Sequence, residues 1–71
     1  MNTVKDGLGV EIKQGQLVKV HQRNGVMAAT VVKPLPDCPT RMNEGHWVEI
    51  DFGGGPEGMP SYILEVVEEV L

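Results

Sequence analysis

Leu17-Val18-Lys19-Val20-His21-Gln22-Arg23-Asn24-Gly25-Val26-Met27-Ala28-Ala29-Thr30-Val31-Val32 is two apolar, β-branched runs divided by a turn signal. In the first run Val18 and Val20 fall on one face, Lys19 and His21 on the other. That alternation is the pattern of a half-buried strand. Leu17 falls on the polar side, at the strand end. Asn24-Gly25 follows, and both central positions of a type I′ turn need positive φ, which Asn and Gly tolerate best. The stretch therefore predicts a β-hairpin. The small side chains of Ala28 and Ala29 would let a further strand or a ligand approach closely.

Downstream, Pro34-Leu35-Pro36-Asp37-Cys38-Pro39 holds three prolines in six residues. Proline removes an amide donor and fixes an extended backbone, which argues against a helix or a central strand. Residues 34–45 are expected to form one long loop, either a rigid polyproline-like connector or a functional segment. His46-Trp47-Val48-Glu49-Ile50-Asp51-Phe52 alternates again. Val48, Ile50 and Phe52 are expected in the core, with Trp47, Glu49 and Asp51 facing the other way. Gly53-Gly54-Gly55-Pro56-Glu57-Gly58 reads as a flexible turn. It lacks the Gly-Lys-Ser/Thr and the helix that a phosphate loop requires.

The last segment admits two readings. Ile63, Val66, Val67, Val70 and Leu71 have helical spacing, and Ser61 stands where a cap would. The β-branched residues favour instead a 3-10 turn at Pro60–Leu64 and a closing strand at Glu65–Val70. The second reading is preferred here. Upstream, residues 1–9 read as a loose N-terminus, Val10-Glu11-Ile12 as a short alternating piece at a sheet edge, and Lys13–Gln16 as a turn.

At 71 residues the chain is one small domain, too short for a large enzyme with a deep cleft. Val, Ile and Leu suffice for a core, so the composition is that of a globular chain. The only aromatic residues are Trp47, Phe52 and Tyr62. No apolar run approaches the ~20 residues of a membrane helix. No secretory leader is visible, and the single cysteine, Cys38, has no internal disulfide partner. A cytoplasmic protein of bacterial or phage origin, without cofactor or metal, is the expectation. The net charge of −4 is unevenly spread. Residues 1–41 carry all six basic residues against three acids, and residues 42–71 carry seven acids and no Lys or Arg. Such polarity can steer a partner. An acidic total opposes nonspecific grip on nucleic acid, which depends on neutralising phosphates.

Four or five short strands, a tight hairpin and a late 3-10 turn describe an all-β domain, and the pattern resembles the SH3-like barrel superfamily. The residues that carry the likeness are Gly15-Gln16-Leu17-Val18-Lys19-Val20, Ala29-Thr30-Val31-Val32, Trp47-Val48-Glu49-Ile50-Asp51-Phe52 and Tyr62-Ile63-Leu64-Glu65-Val66-Val67. It spans about residues 15–70 and operates at the level of fold. The resemblance implies a small barrel of about five short strands with one 3-10 turn before the last strand. In outline it looks like a small protein of photosystem I, the type II dihydrofolate reductases and Tudor-like adaptor domains. The reductases bind substrate with a Val-Gln-Ile-Tyr strand in a tetramer pore. The nearest segment here, Ser61-Tyr62-Ile63-Leu64, lacks the glutamine. The photosynthetic protein is more basic than this chain.

Trp47 is the most informative residue, because an exposed tryptophan between polar neighbours is favoured at interfaces. A one-residue register slip would bury it instead. Glu49 and Asp51 share its face and make it an aromatic–acidic patch suited to a basic peptide. Tyr62 is expected beside that patch or in the core, with Pro36 and Arg41 contributing from the 34–45 loop. His21 and His46 lie at strand ends with nothing to bring them together, and Cys38 lacks a neighbouring base. The expected function is a non-enzymatic interaction module. It would bind a protein partner or its own copy through Trp47, Glu49, Asp51, Tyr62, Pro36 and Arg41. The alternatives are nucleic-acid binding by a basic hairpin (Lys19, Arg23, Lys33), without the aromatics that stack bases, and a pore-type oligomeric enzyme.

Overall fold

In the computed structural model, residues 3–41 and 45–67 are described. Five antiparallel strands make one sheet: β1 (Leu17–Gln22), β2 (Gly25–Pro39), β3 (His46–Asp51), β4 (Pro56–Pro60) and β5 (Leu64–Val66). Their order across the sheet is β4-β3-β2-β1-β5. A 3-10 turn at Ser61–Ile63 precedes β5. The domain is all-β, with the turn before the last strand as the sequence indicates.

Alternation selects the core. Val18 and Val20 of β1, Ala29 and Val31 of β2, Val48 and Ile50 of β3, and Leu64 and Val66 of β5 are all buried on one face. Val4 and Ile12 complete the cluster from the N-terminal segment, and Phe52 packs half-buried against it. The 3-10 turn touches both β3 and β1, strands that β2 separates, so the sheet is curled around its core. The Cα radius of gyration is 11.2 Å, close to the ~11 Å expected for a compact chain of this length.

The hairpin forms, one residue earlier than the turn chemistry suggests. Gln22 pairs with Gly25, so Arg23 and Asn24 are the loop. Gly25, at φ +131°, opens β2 in a conformation that a side chain would oppose. The expected loop over 34–45 is corrected for its first half: β2 runs on to Pro39, with Pro34 opposite Val48 and Pro39 opposite His46. The reason is local. β1 ends its pairing at Thr30, so beyond Val31 the strand has β3 as its only strand neighbour among the described residues. A strand with one open edge tolerates proline. Register shifts after Val31 and after Pro34 absorb the mismatch. The remainder of the expected loop includes residues 42–44, which lie outside the described residues.

The glycine turn is shorter than expected. Residues 52–55 form it, and Pro56 already begins β4, opposite Asp51. Val10–Ile12 forms no strand; a single bridge joins Lys5 and Glu11. Residues 3–9, expected to be loose, are tied to the rest of the molecule at Val4, Asp6 and Gly7, although the others stay exposed. Val4 is buried, the Gly7 N–H donates to the Leu64 carbonyl at 3.0 Å, and the Asp6 carboxylate reaches β5. Of the closing strand expected over 65–70, Leu64–Val66 is strand, and residues 68–71 lie outside the described residues.

Candidate functional site

The outer face of β3 carries Trp47, Glu49 and Asp51, as the alternation requires. Trp47 is exposed, at 39% of its full area. It stands opposite Pro60 on β4, and a Cβ added to Gly58 would lie 3.9 Å from its Cε3. The indole thus lies beside Gly58 of β4, at ordinary contact distance from where a Cβ would stand. Glu49 is half-buried between Lys33 of β2 and Gly58 of β4, its partners in register. Lys33 is exposed, and its ammonium and the Glu49 carboxylate do not meet within 4 Å; the ion contact found among the described residues is His21–Glu65.

Asp51 already has a task. Its Oδ1 accepts the Gly53 N–H at 2.6 Å and the Gly55 N–H at 3.2 Å. This Asx turn fixes the 52–55 connection and leaves Oδ2 at the surface. Tyr62 is exposed on the 3-10 turn and lines a groove with Gly7, Leu8, His21, Leu64 and Glu65, in which Trp47 takes no part. Pro36 is half-buried in the far half of β2, and Arg41 is exposed just beyond that strand. The expected six-residue face is therefore a set of three on β3, with Pro36 on the neighbouring strand, Arg41 beyond the end of that strand, and Tyr62 elsewhere.

The basic residues do not form one strip. Lys19 lies on the outer face of β1 between Ala28 and Glu65, Arg23 sits in the hairpin loop, and Lys33 faces Glu49. Arg23, in the hairpin loop, and Lys33 lie at opposite ends of a segment of β2 that includes the register shift after Val31. Glutamates stand opposite two of the three.

His21 and His46 lie on β1 and β3, with β2 between them. The Nε2 of His21 is 2.9 Å from Oε1 of Glu65. Cys38 is exposed on β2. Among the described residues no three of His, Cys, Asp and Glu are grouped so as to hold a metal ion, and no helix is long and apolar enough to cross a membrane.

Sequence reading missed the residues that tie the chain ends together. Asp6 is buried at 6%. Its Oδ1 accepts the N–H groups of Leu8 (2.9 Å) and Val10 (2.8 Å), and its Oδ2 that of Val66 (2.8 Å). An Asp before Gly-x-Gly is an Asx-turn signal, and Asp6-Gly7-Leu8-Gly9 carries it. Ser61, also buried, accepts the His46 N–H on its Oγ at 3.0 Å and so anchors the start of β3. Comparison with protein-family models, with curated proteins and with solved structures gave no match.

Proposed function

We propose that this chain is a non-catalytic interaction module, an SH3-like barrel that binds a protein partner through the outer face of β3. The observation that carries this reading is Trp47. It is a large aromatic held at the surface by strand register, with the Glu49 carboxylate two residues away on the same face. Tryptophan combines a large apolar area with an N–H donor, and it is enriched where interfaces concentrate their energy. The pockets among the described residues are open surface depressions; His21, Tyr62 and Glu65 share one and Lys19 and Glu65 line another, and neither includes Trp47. The separation of Lys19, Arg23 and Lys33 favours a protein partner over nucleic acid.

The test is to immobilise the wild-type chain and a Trp47→Ala variant and compare what each retains from a cell extract. A partner retained by the wild type and lost by a Trp47→Ala chain of unchanged far-UV circular dichroism supports the reading. Equal retention by both removes the β3 face from the interaction. Unfolding of the variant would make Trp47 part of the fold rather than of a binding surface.

A further inference from the structure

We infer that the partner of this face is a second copy of the chain, related by a two-fold axis that runs along the strands between β2 and β3. The inference rests on the interaction-module reading and assigns its partner. The argument is charge complementarity in register. Lys33 stands opposite Glu49 on neighbouring strands, yet their charged ends do not meet within the chain. A two-fold axis lying in the interface and parallel to the strands brings β3 of each copy over β2 of the other. Glu49 then faces Lys33 of the second copy, and Lys33 faces its Glu49. The same operation sets the other rungs. Asp51 comes over Thr30, its register neighbour, so that the free Oδ2 meets an exposed hydroxyl donor. Trp47, two residues further along β3, comes over the register-shifted stretch of β2 between Pro34 and Pro39, which includes the half-buried Leu35 and Pro36.

The two rungs in register are thus self-complementary: acid on base, acceptor on donor. An acidic partner would meet Glu49 and Asp51, and a basic one would meet Lys33. A second copy satisfies both signs. With extents of 29 × 29 × 20 Å, the molecule offers at most one side of about the ~800 Å² each partner gives to a standard interface. The dimer is accordingly weak and concentration-dependent.

Light scattering across a concentration series, on the full chain, reads the outcome. The wild type is expected to shift from monomer toward dimer mass. Glu49→Lys sets lysine against lysine across the axis, and Lys33→Glu sets glutamate against glutamate, so each variant alone is expected to be monomeric. An equimolar mixture restores both opposite-charge contacts and is expected to form a 1:1 heterodimer. Contacts within one chain cannot be rescued by mixing, so this readout isolates the interface.

A wild type that remains monomeric up to about 1 mM overturns the inference. So do single variants that dimerise like the wild type, or a mixture that stays monomeric. Should a reversed charge unfold the chain, Glu49→Gln and Lys33→Met remove the charges without reversing them. Each is expected to weaken the dimer about tenfold or more, and unchanged dimerisation by both overturns the inference. A monomeric wild type that still captures another protein through Trp47 removes the second copy and leaves the interaction module standing. Absence of both removes the two together.

Discussion

Asp6 joins three N–H groups, two in its own turn and one on β5, inside the molecule. Truncation to alanine strands the buried Val66 donor and frees the two part-buried ones, and an unsatisfied buried donor costs about 1–3 kcal/mol. Asp6→Ala is therefore expected to lower stability by roughly 2–4 kcal/mol, which in a domain of this size lowers the melting temperature by ten degrees or more. Thermal unfolding followed by circular dichroism reads it; a shift of only a degree or two would mean the three bonds are dispensable. Two glycines work at the same scale. A Cβ on Gly7 would stand 2.6 Å from the Tyr62 carbonyl oxygen, a backbone atom that cannot swing aside. Gly45 combines φ +139° with a Cβ position that runs into Ser61 Oγ. Gly7→Ala and Gly45→Ala are each expected to destabilise by about 1 kcal/mol or more, whereas alanine at the open Gly54 is tolerated. Equal melting temperatures for all three would refute the close approaches. Glycine and aspartate show in the sequence as turn residues, but which of them touches a strand some sixty residues away does not. That depends on tertiary pairing, which no local pattern encodes.

Among the elements, the strands that alternate were legible and the one that does not was misread. Val18 and Val20, and Val48 and Ile50, point inward as the period of two demands, and Trp47, Glu49 and Asp51 point outward. This is why the candidate site could be named from the sequence. Leu35 and the prolines around it gave no alternation, and proline content argued for a loop. The rule against proline concerns strands paired on both sides. The far half of β2 is paired on one side alone, a condition visible only once β1 is known to stop at Thr30. The same asymmetry makes a dynamic prediction. Thr30 is in register with both β1 and β3, and Val31 is paired with Ile50 while its N–H donates to the Gln16 carbonyl, so these two backbone amides are expected to exchange with solvent slowly. Those of Lys33, Leu35, Asp37 and Cys38 have one strand neighbour and are expected to exchange faster, by a factor of about ten or more. Hydrogen exchange resolved by residue reads the contrast. Uniform protection along β2 would show that the open edge is covered.

On the scale of the whole molecule, the sheet is closed from the outside by the N-terminal segment. β5 is three residues long and stands at the sheet end, where its free edge would invite pairing with another chain. Gly7 and Asp6 occupy that edge, taking the Leu64 carbonyl and the Val66 amide, while Val4 adds to the core. A domain of about 70 residues has only about 3–5 kcal/mol of stability from its core. Removing residues 1–9 deletes one fully buried valine, worth about 1.5–3 kcal/mol, and the Asp6 bonds, worth a similar amount. The sum matches the whole, so the shortened chain is expected to lose its cooperative unfolding transition altogether. Denaturant titration followed by the fluorescence of Trp47 reads this, since m reports the surface exposed on unfolding. A shortened chain that unfolds with the same m and a midpoint close to that of the full chain would show that the first nine residues lie on the fold without completing it. The expected loss would instead make the N-terminal segment part of the fold, with Asp6 and Gly7 holding the outer edge of β5.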